Sequence, residues 1–197
     1  MSRELPEQVD FAAQVLAIGA SAGGVDALLA LLQDLGAPPR ASIVIVLHLP
    51  EGQDSRLVEV FAARLGLPVE EARPHAPVLP GHIYFAPPGY HLLVEADRSF
   101  SLSCEPPVLF SRPSIDVLFE SCAEALGERA AGMLLTGANE DGARGLARIH
   151  ERGGLTAVQD PSEAAYPTMP AAALRLAEPD FVLPVAVLRR LLHTVVR

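Results

Sequence analysis

Four continuous runs of aliphatic and β-branched residues constrain this chain most: Val15–Gly19, Ser42–Leu47, Ala130–Leu135 and Leu155–Gln159. Each is apolar along its length rather than at alternate positions. A strand of that kind has to be covered on both faces, as in a parallel sheet sandwiched between helices. Helical patterns follow the runs at Val25–Leu35, Arg56–Leu65, Gly142–Arg152 and Ala171–Ala177. The repeated alternation predicts an α/β fold, doubly wound, with a mostly parallel sheet and helices on both faces. A last short strand near Phe181–Leu183 and an amphipathic helix over Val185–Val196 close the chain.

One stretch breaks the pattern. Residues 68–80 are rich in loop formers, with a short strand near Val69. His82–Phe85, Leu92–Glu95 and Ser99–Ser103 then surround the Pro-Pro-Gly segment of Ala86–Tyr90 and predict a small antiparallel excursion. Ser114 fits the N-cap of a helix running through Ala125.

The 197 residues fit one domain, read as a polar leader over 1–14 and a single catalytic domain over 15–197. Half the residues are hydrophobic and only 5% are aromatic, so the core must be built from Leu, Val, Ile and Ala. A net charge of −9 argues against a broad nucleic-acid footprint, which needs clustered cations. Cys104 and Cys122 have neither the number nor the spacing of a metal knuckle or a disulfide framework, and read as free thiols. The N-terminus lacks the apolar core of a signal peptide, and the apolar runs are too short to cross a bilayer. The expected location is the cytoplasm, with no membrane insertion.

Chemistry-bearing residues follow three of the apolar runs. Gly19-Ala20-Ser21-Ala22-Gly23 has the G-x-S-x-G spacing that sets a serine on a sharp strand-to-helix turn. Ser21 is a candidate nucleophile or, alternatively, a helix cap. The segment is not a dinucleotide fingerprint, because Ser21 stands at the second glycine position, and it lacks the Lys-Ser/Thr of a P-loop. His48 ends the second run, at the sheet edge where α/β proteins gather ligand and catalytic groups. It reads as a general base or as a satisfied core histidine. Glu140 and Asp141 stand in the loop after the third run. Either suits the acid that orients a histidine, and Asp141 also suits a helix cap. The order Ser, His, acid differs from the Ser, acid, His order of common lipases and esterases.

Several motifs in register carry a family likeness: IGASAGG (18–24), LHLP (47–50), LPGHIYFAP (79–87), RPSIDVLF (112–119), LLTGANEDGARG (134–145) and Met169-Pro170. With them the chain resembles the catalytic domain of the bacterial chemotaxis-receptor methylesterases, the CheB family, from about Val15 to the last helix. The resemblance implies hydrolysis of glutamate methyl esters on chemoreceptor cytoplasmic helices with release of methanol, and in many members deamidation of receptor glutamines. It implies Ser21, His48 and Asp141 as the catalytic triad and so decides for Asp141 over Glu140. Backbone amides around Ala20, Ala22 and Ala138 are the implied oxyanion donors, and no metal or cofactor is required.

Three departures accompany the likeness. Ala22 stands where members usually have Thr, and Ala138 where they usually have Met. Leu109-Phe110-Ser111 replaces a common Asn-Arg-His run before Arg112, trading potential cations for apolar surface. Arg112, Tyr166 and Met169 are candidates for substrate contact. Members also carry a phospho-receiver domain ahead of the catalytic one. With 14 residues before the first strand, none is expected here, which leaves either an uninhibited enzyme or a regulatory protein acting in trans. The expected partner is a methylated chemoreceptor or receptor-like signalling protein. The alternatives are a related serine hydrolase with another ester or amide substrate, and a non-catalytic signalling module.

Overall fold

The computed structural model describes residues 2, 4–7, 9–36, 38–49 and 56–197. Pro50 of the LHLP motif lies outside them. The first apolar run forms β1 (Val15–Ala20), followed by α1 (Gly24–Leu32), β2 (Ser42–Leu47) and α2 (Leu57–Leu65). Next come β3 (Val69–Glu71), β4 (Ile83–Phe85) and the hairpin of β5 (His91–Val94) and β6 (Phe100–Ser103). The second half runs α3 (Ile115–Leu126), β7 (Ala130–Leu134), α4 (Ala143–Glu151), β8 (Leu155–Gln159), α5 (Thr168–Leu176), β9 (Phe181–Leu183) and α6 (Val185–Val195).

Seven strands form one parallel sheet in the order β3-β4-β2-β1-β7-β8-β9, and β5 and β6 pair antiparallel beside it. Every residue of β1, β2, β7 and β8 is buried, because successive side chains enter two different cores. Val15, Ala17, Val44 and Val46 pack with α3, α4, α5 and the hairpin. Leu16, Ile18, Ile43 and Ile45 pack with α1, α2 and α6. The uninterrupted apolar runs of the sequence are thus two interleaved alternating patterns.

β1 sits where the winding reverses. From it the chain moves to β2 on one side, and β7 later lands on its other side. The β1 exit leads to α1 on one face and the β7 exit to α4 on the other, so the two loops diverge at the carboxyl end of the sheet, where α/β folds gather ligand-binding groups. The candidate site lies between them.

Two expectations change. Ile83–Phe85 does not join the antiparallel excursion. It is a fully buried parallel strand between β2 and β3, and only β5 and β6 make the hairpin. Three residues are too few to display a period, and burial on both faces places them in the main sheet. The leader is also more than polar. Leu5, Val9, Phe11 and Ala13 pack on the α1–α6 core, and Ser2 bridges to Phe181 on the sheet edge. Among the described residues no helix is long and apolar enough to cross a membrane.

Candidate active site

Ser21 follows β1 directly, in a three-residue turn into α1. Its amide donates to the Thr136 carbonyl at 2.9 Å, and its carbonyl accepts from Gly24 at 2.8 Å, so the turn is fastened to the β7 exit. The helix cap is Gly23 in a left-handed conformation (φ 75°), with no side-chain capping bond. Ser21 is therefore not a cap. The left-handed residue of this turn is the glycine and not the serine, unlike the strained nucleophile elbow that the spacing suggests. Gly19 serves packing: a Cβ there would stand 2.3 Å from Ile115 Cγ2, so its absence lets α3 approach β1. Among the described residues the half-buried Ser21 hydroxyl makes no hydrogen bond.

His48 lies one residue past β2, beside Ser21's strand, and its amide donates to the Ala20 carbonyl at 3.1 Å. Its Nε2 meets Asp141 Oδ2 at 2.9 Å. Asp141 is fully buried, and the end of α3 explains how its charge is held. Ser114 Oγ and the Asp116 amide donate to Oδ1 at 2.8 and 3.0 Å, and the Ile115 amide donates to Oδ2 at 2.7 Å. Amides at a helix N-terminus favour an anion. Burial pushes the Asp141 pKa up. The His48 hydrogen bond, the Asp116 and Ile115 amides and the His48 charge outweigh it, and hold the carboxyl below its ordinary value. An ionised carboxylate only accepts, so the ring proton between them sits on Nε2, and in the neutral ring Nδ1 is the acceptor. Glu140 turns outward to Arg175 at 2.8 Å and takes no part.

A second acid, used in the sequence only as part of a motif, supports this one. Asp116, in the first turn of α3, accepts the Gly142 and Gly145 amides at 2.9 and 2.8 Å. Each helix thus lends an N-terminus to the acid of the other: Asp141 precedes α4 and caps α3, while Asp116 belongs to α3 and caps α4. Burial, with the Asp141 and Glu120 charges behind it, pushes Asp116 up to about 6 against the pull of the Gly145 amide and Arg144. His91 anchors the same corner, accepting the Ser114 amide on Nδ1 at 3.1 Å and meeting the Pro106 carbonyl through Nε2 at 3.1 Å. An acid two residues after a capping serine was the available signal for Asp116.

The rim brings in the remaining candidates. Tyr166 is half exposed, on a loop tied to the β7 exit: its amide donates to Thr136 Oγ1 at 2.9 Å and its carbonyl accepts from Gly137 at 3.0 Å. Met169, in the first turn of α5, is fully buried against Gly137, the loop-packing reading weighed beside cleft contact. Arg112 spends one guanidinium nitrogen on the Cys104 and Glu105 carbonyls at 3.0 and 3.1 Å, which ties two loops together. Ala20 ends β1, while among the described residues the Ala22 and Ala138 amides make no hydrogen bond.

Ser111 was not foreseen as a site residue. Its Oγ lies 3.3 Å from His48 Nδ1 and accepts from Asn139 Nδ2 at 3.4 Å. It closes a two-residue turn in which Val108 and Ser111 exchange backbone hydrogen bonds at 3.1 and 2.8 Å. The central residues Leu109 and Phe110 both have positive φ, and Phe110 is 99% exposed.

A histidine–carboxylate pair at the switch point of a parallel sheet, one strand over from a serine whose hydroxyl has no partner among the described residues, is the kind of arrangement a serine hydrolase uses. The family described as CheB methylesterase matches residues 16–192, and the chain belongs to that family. A putative protein-glutamate methylesterase/protein-glutamine glutaminase of Leptospira interrogans is 42% identical over 170 residues, covering 86% of this chain and 88% of the relative. A Hahella chejuensis protein-glutamate methylesterase/protein-glutamine glutaminase is 43% identical over 174 residues, but there the match covers 48% of the relative. The crystal structure of the Thermotoga maritima CheB methylesterase catalytic domain superposes with a TM-score of 0.87 at 28% identity, covering 92% of this chain and 98% of that one.

Proposed function

We propose that this chain is a protein-glutamate methylesterase acting through Ser21, His48 and Asp141. The observation that carries the reading is the His48 Nε2–Asp141 Oδ2 contact of 2.9 Å on a buried, amide-held carboxylate, next to the strand that Ser21 directly follows. His48 Nδ1 takes the Ser21 proton as Oγ attacks the ester carbonyl, and Asp141 steadies the imidazolium that forms. The Ala22 and Ala138 amides receive the oxyanion. Collapse of the tetrahedral intermediate releases methanol, which takes its proton from His48. Water, deprotonated by the same nitrogen, then hydrolyses the glutamyl ester on Ser21.

The substrate is a methylated helix of a chemoreceptor-like signalling protein, presented in the cytoplasm. The relatives' names, protein-glutamate methylesterase, support ester hydrolysis on a protein glutamate, and their second name, protein-glutamine glutaminase, extends it to protein glutamines. The exposed Phe110 at the rim favours a substrate that offers apolar side chains beside its ester.

A fluorophosphonate probe tests the nucleophile. Peptide mapping is expected to find one adduct, on Ser21, which is absent from Ser21→Ala and strongly slowed in His48→Gln. An adduct on Ser111, or none on the folded protein, would contradict the reading.

A further inference from the structure

The His48 nitrogen that has to accept the Ser21 proton is already engaged. Nε2 faces Asp141, so Nδ1 is the only ring position left for a base, and it meets Ser111 Oγ at 3.3 Å. With the ring proton on Nε2, Nδ1 can only accept, so Ser111 donates its one hydroxyl proton to it. Asn139 Nδ2 donates to the same Ser111 Oγ at 3.4 Å and helps hold it there. Asn139 is itself set, because its Oδ1 accepts the Asp141 amide at 3.2 Å. Two serines therefore compete for one lone pair. In this structure Ser111 holds it, while the Ser21 hydroxyl makes no hydrogen bond among the described residues.

The mounting of Ser111 suggests what releases it. Leu109 and Phe110 hold φ values of 46° and 65°, a conformation that costs side chains other than those of Gly, Asn and Asp. The turn they form ends at Ser111 and carries Phe110 wholly in solvent. A substrate surface that covers the Phe110 ring pushes on the same short turn that aims the Ser111 hydroxyl.

We propose that Ser111 is a latch on the catalytic base: it occupies His48 Nδ1 in the resting enzyme and yields it to Ser21 when substrate docks on the Leu109–Phe110 turn. The inference rests on Ser21 and His48 being the reacting pair. It makes Ser111 a positioning residue whose removal raises the intrinsic reactivity of the site. A small activated ester such as p-nitrophenyl acetate does not engage the turn, so it reads the latched state. A hydrogen bond of ordinary net strength is worth a factor of about two to ten.

The test compares Ser21-dependent hydrolysis of p-nitrophenyl acetate by the parent, Ser111→Ala and Ser111→Thr, with Ser21→Ala as the control. The expected result is a rise of about two- to tenfold in kcat/KM for Ser111→Ala, carried by kcat. Ser111→Thr, which keeps the hydroxyl, should return it to the parental rate. A Ser21-dependent rate that falls or stays level in Ser111→Ala overturns the latch and leaves the nucleophile standing. A parental rate that survives Ser21→Ala overturns the nucleophile and the latch with it. Ring-nitrogen NMR gives an independent reading: the His48 Nδ1 resonance should move in Ser111→Ala and stay in Ser111→Thr. An unmoved resonance refutes the contact whatever the rates.

Discussion

At Asp141 and Asp116, two buried carboxylates a few residues from two helix starts answer burial in opposite ways. Asp141 collects two amides, a hydroxyl and an imidazole, and these keep it ionised. Asp116 has two amides and a distant guanidinium at 3.6 Å, and it faces the charge of Asp141. The pH dependence of stability follows from those directions. The Asp141 contribution is present above the ordinary carboxylate value of 3.8 and is lost as pH falls through its lower folded value. Asp116 works the other way. Its favourable share is complete below 3.8 and is lost as pH rises through about 6, a swing of roughly 3 kcal/mol. Asp116→Asn keeps an oxygen for the Gly142 and Gly145 amides and removes the titration. Urea unfolding from pH 4 to 7 is expected to show the parent losing stability relative to this variant as pH rises. Parallel curves would contradict the assignment.

The elements set the geometry through a few contacts that no hydrophobic period reveals. Gly19 admits α3 against β1, and the crossed capping of α3 and α4 binds the β7 exit to the hairpin side of the molecule. The turn at Leu109–Phe110 is the clearest conflict between local preference and structure. Asn-Gly is the pair that such a turn favours, whereas this chain puts two bulky apolar residues there. Replacing them (Leu109→Asn with Phe110→Gly) should raise the unfolding free energy by roughly 1–2 kcal/mol, as measured by urea denaturation. The same variant should turn over a methylated receptor fragment more slowly, because the apolar tip is lost. If the exchange instead destabilises the protein, the strain at the tip has been misjudged. Local rules broken without a packing reason are expected at functional positions.

Across the whole molecule, the long parallel strands and their helices were legible, because double-sided burial writes an apolar residue at nearly every position. β4 was misplaced for the opposite reason: three residues carry no period, and only the sheet shows that both sides are covered. The site was legible to the extent that its residues follow strands. Ser21 and His48 directly follow β1 and β2, and Asp141 lies in the loop between β7 and α4, whereas Asp116, His91 and Ser111 act through contacts between segments distant in sequence. Glu140 and Asp141 could not be separated by the residues alone. The outward pair of Glu140 with Arg175 and the inward capping by Asp141 separate them geometrically. The Leu109–Ser111 segment stood out only as a departure from the family motif, and its place at the mouth of the site gives that departure a consequence.

Methanol release from a methylated chemoreceptor cytoplasmic fragment, measured side by side for the parent chain and Ser21→Ala, tests the central claim most directly. Steady release by the parent is expected. The variant should release none above background while melting at nearly the parental temperature, since the Ser21 hydroxyl holds nothing together among the described residues. Equal release by both proteins would contradict the assignment of Ser21. No release by a folded parent, on a fragment that another family member cleaves, would contradict the methylesterase reading itself.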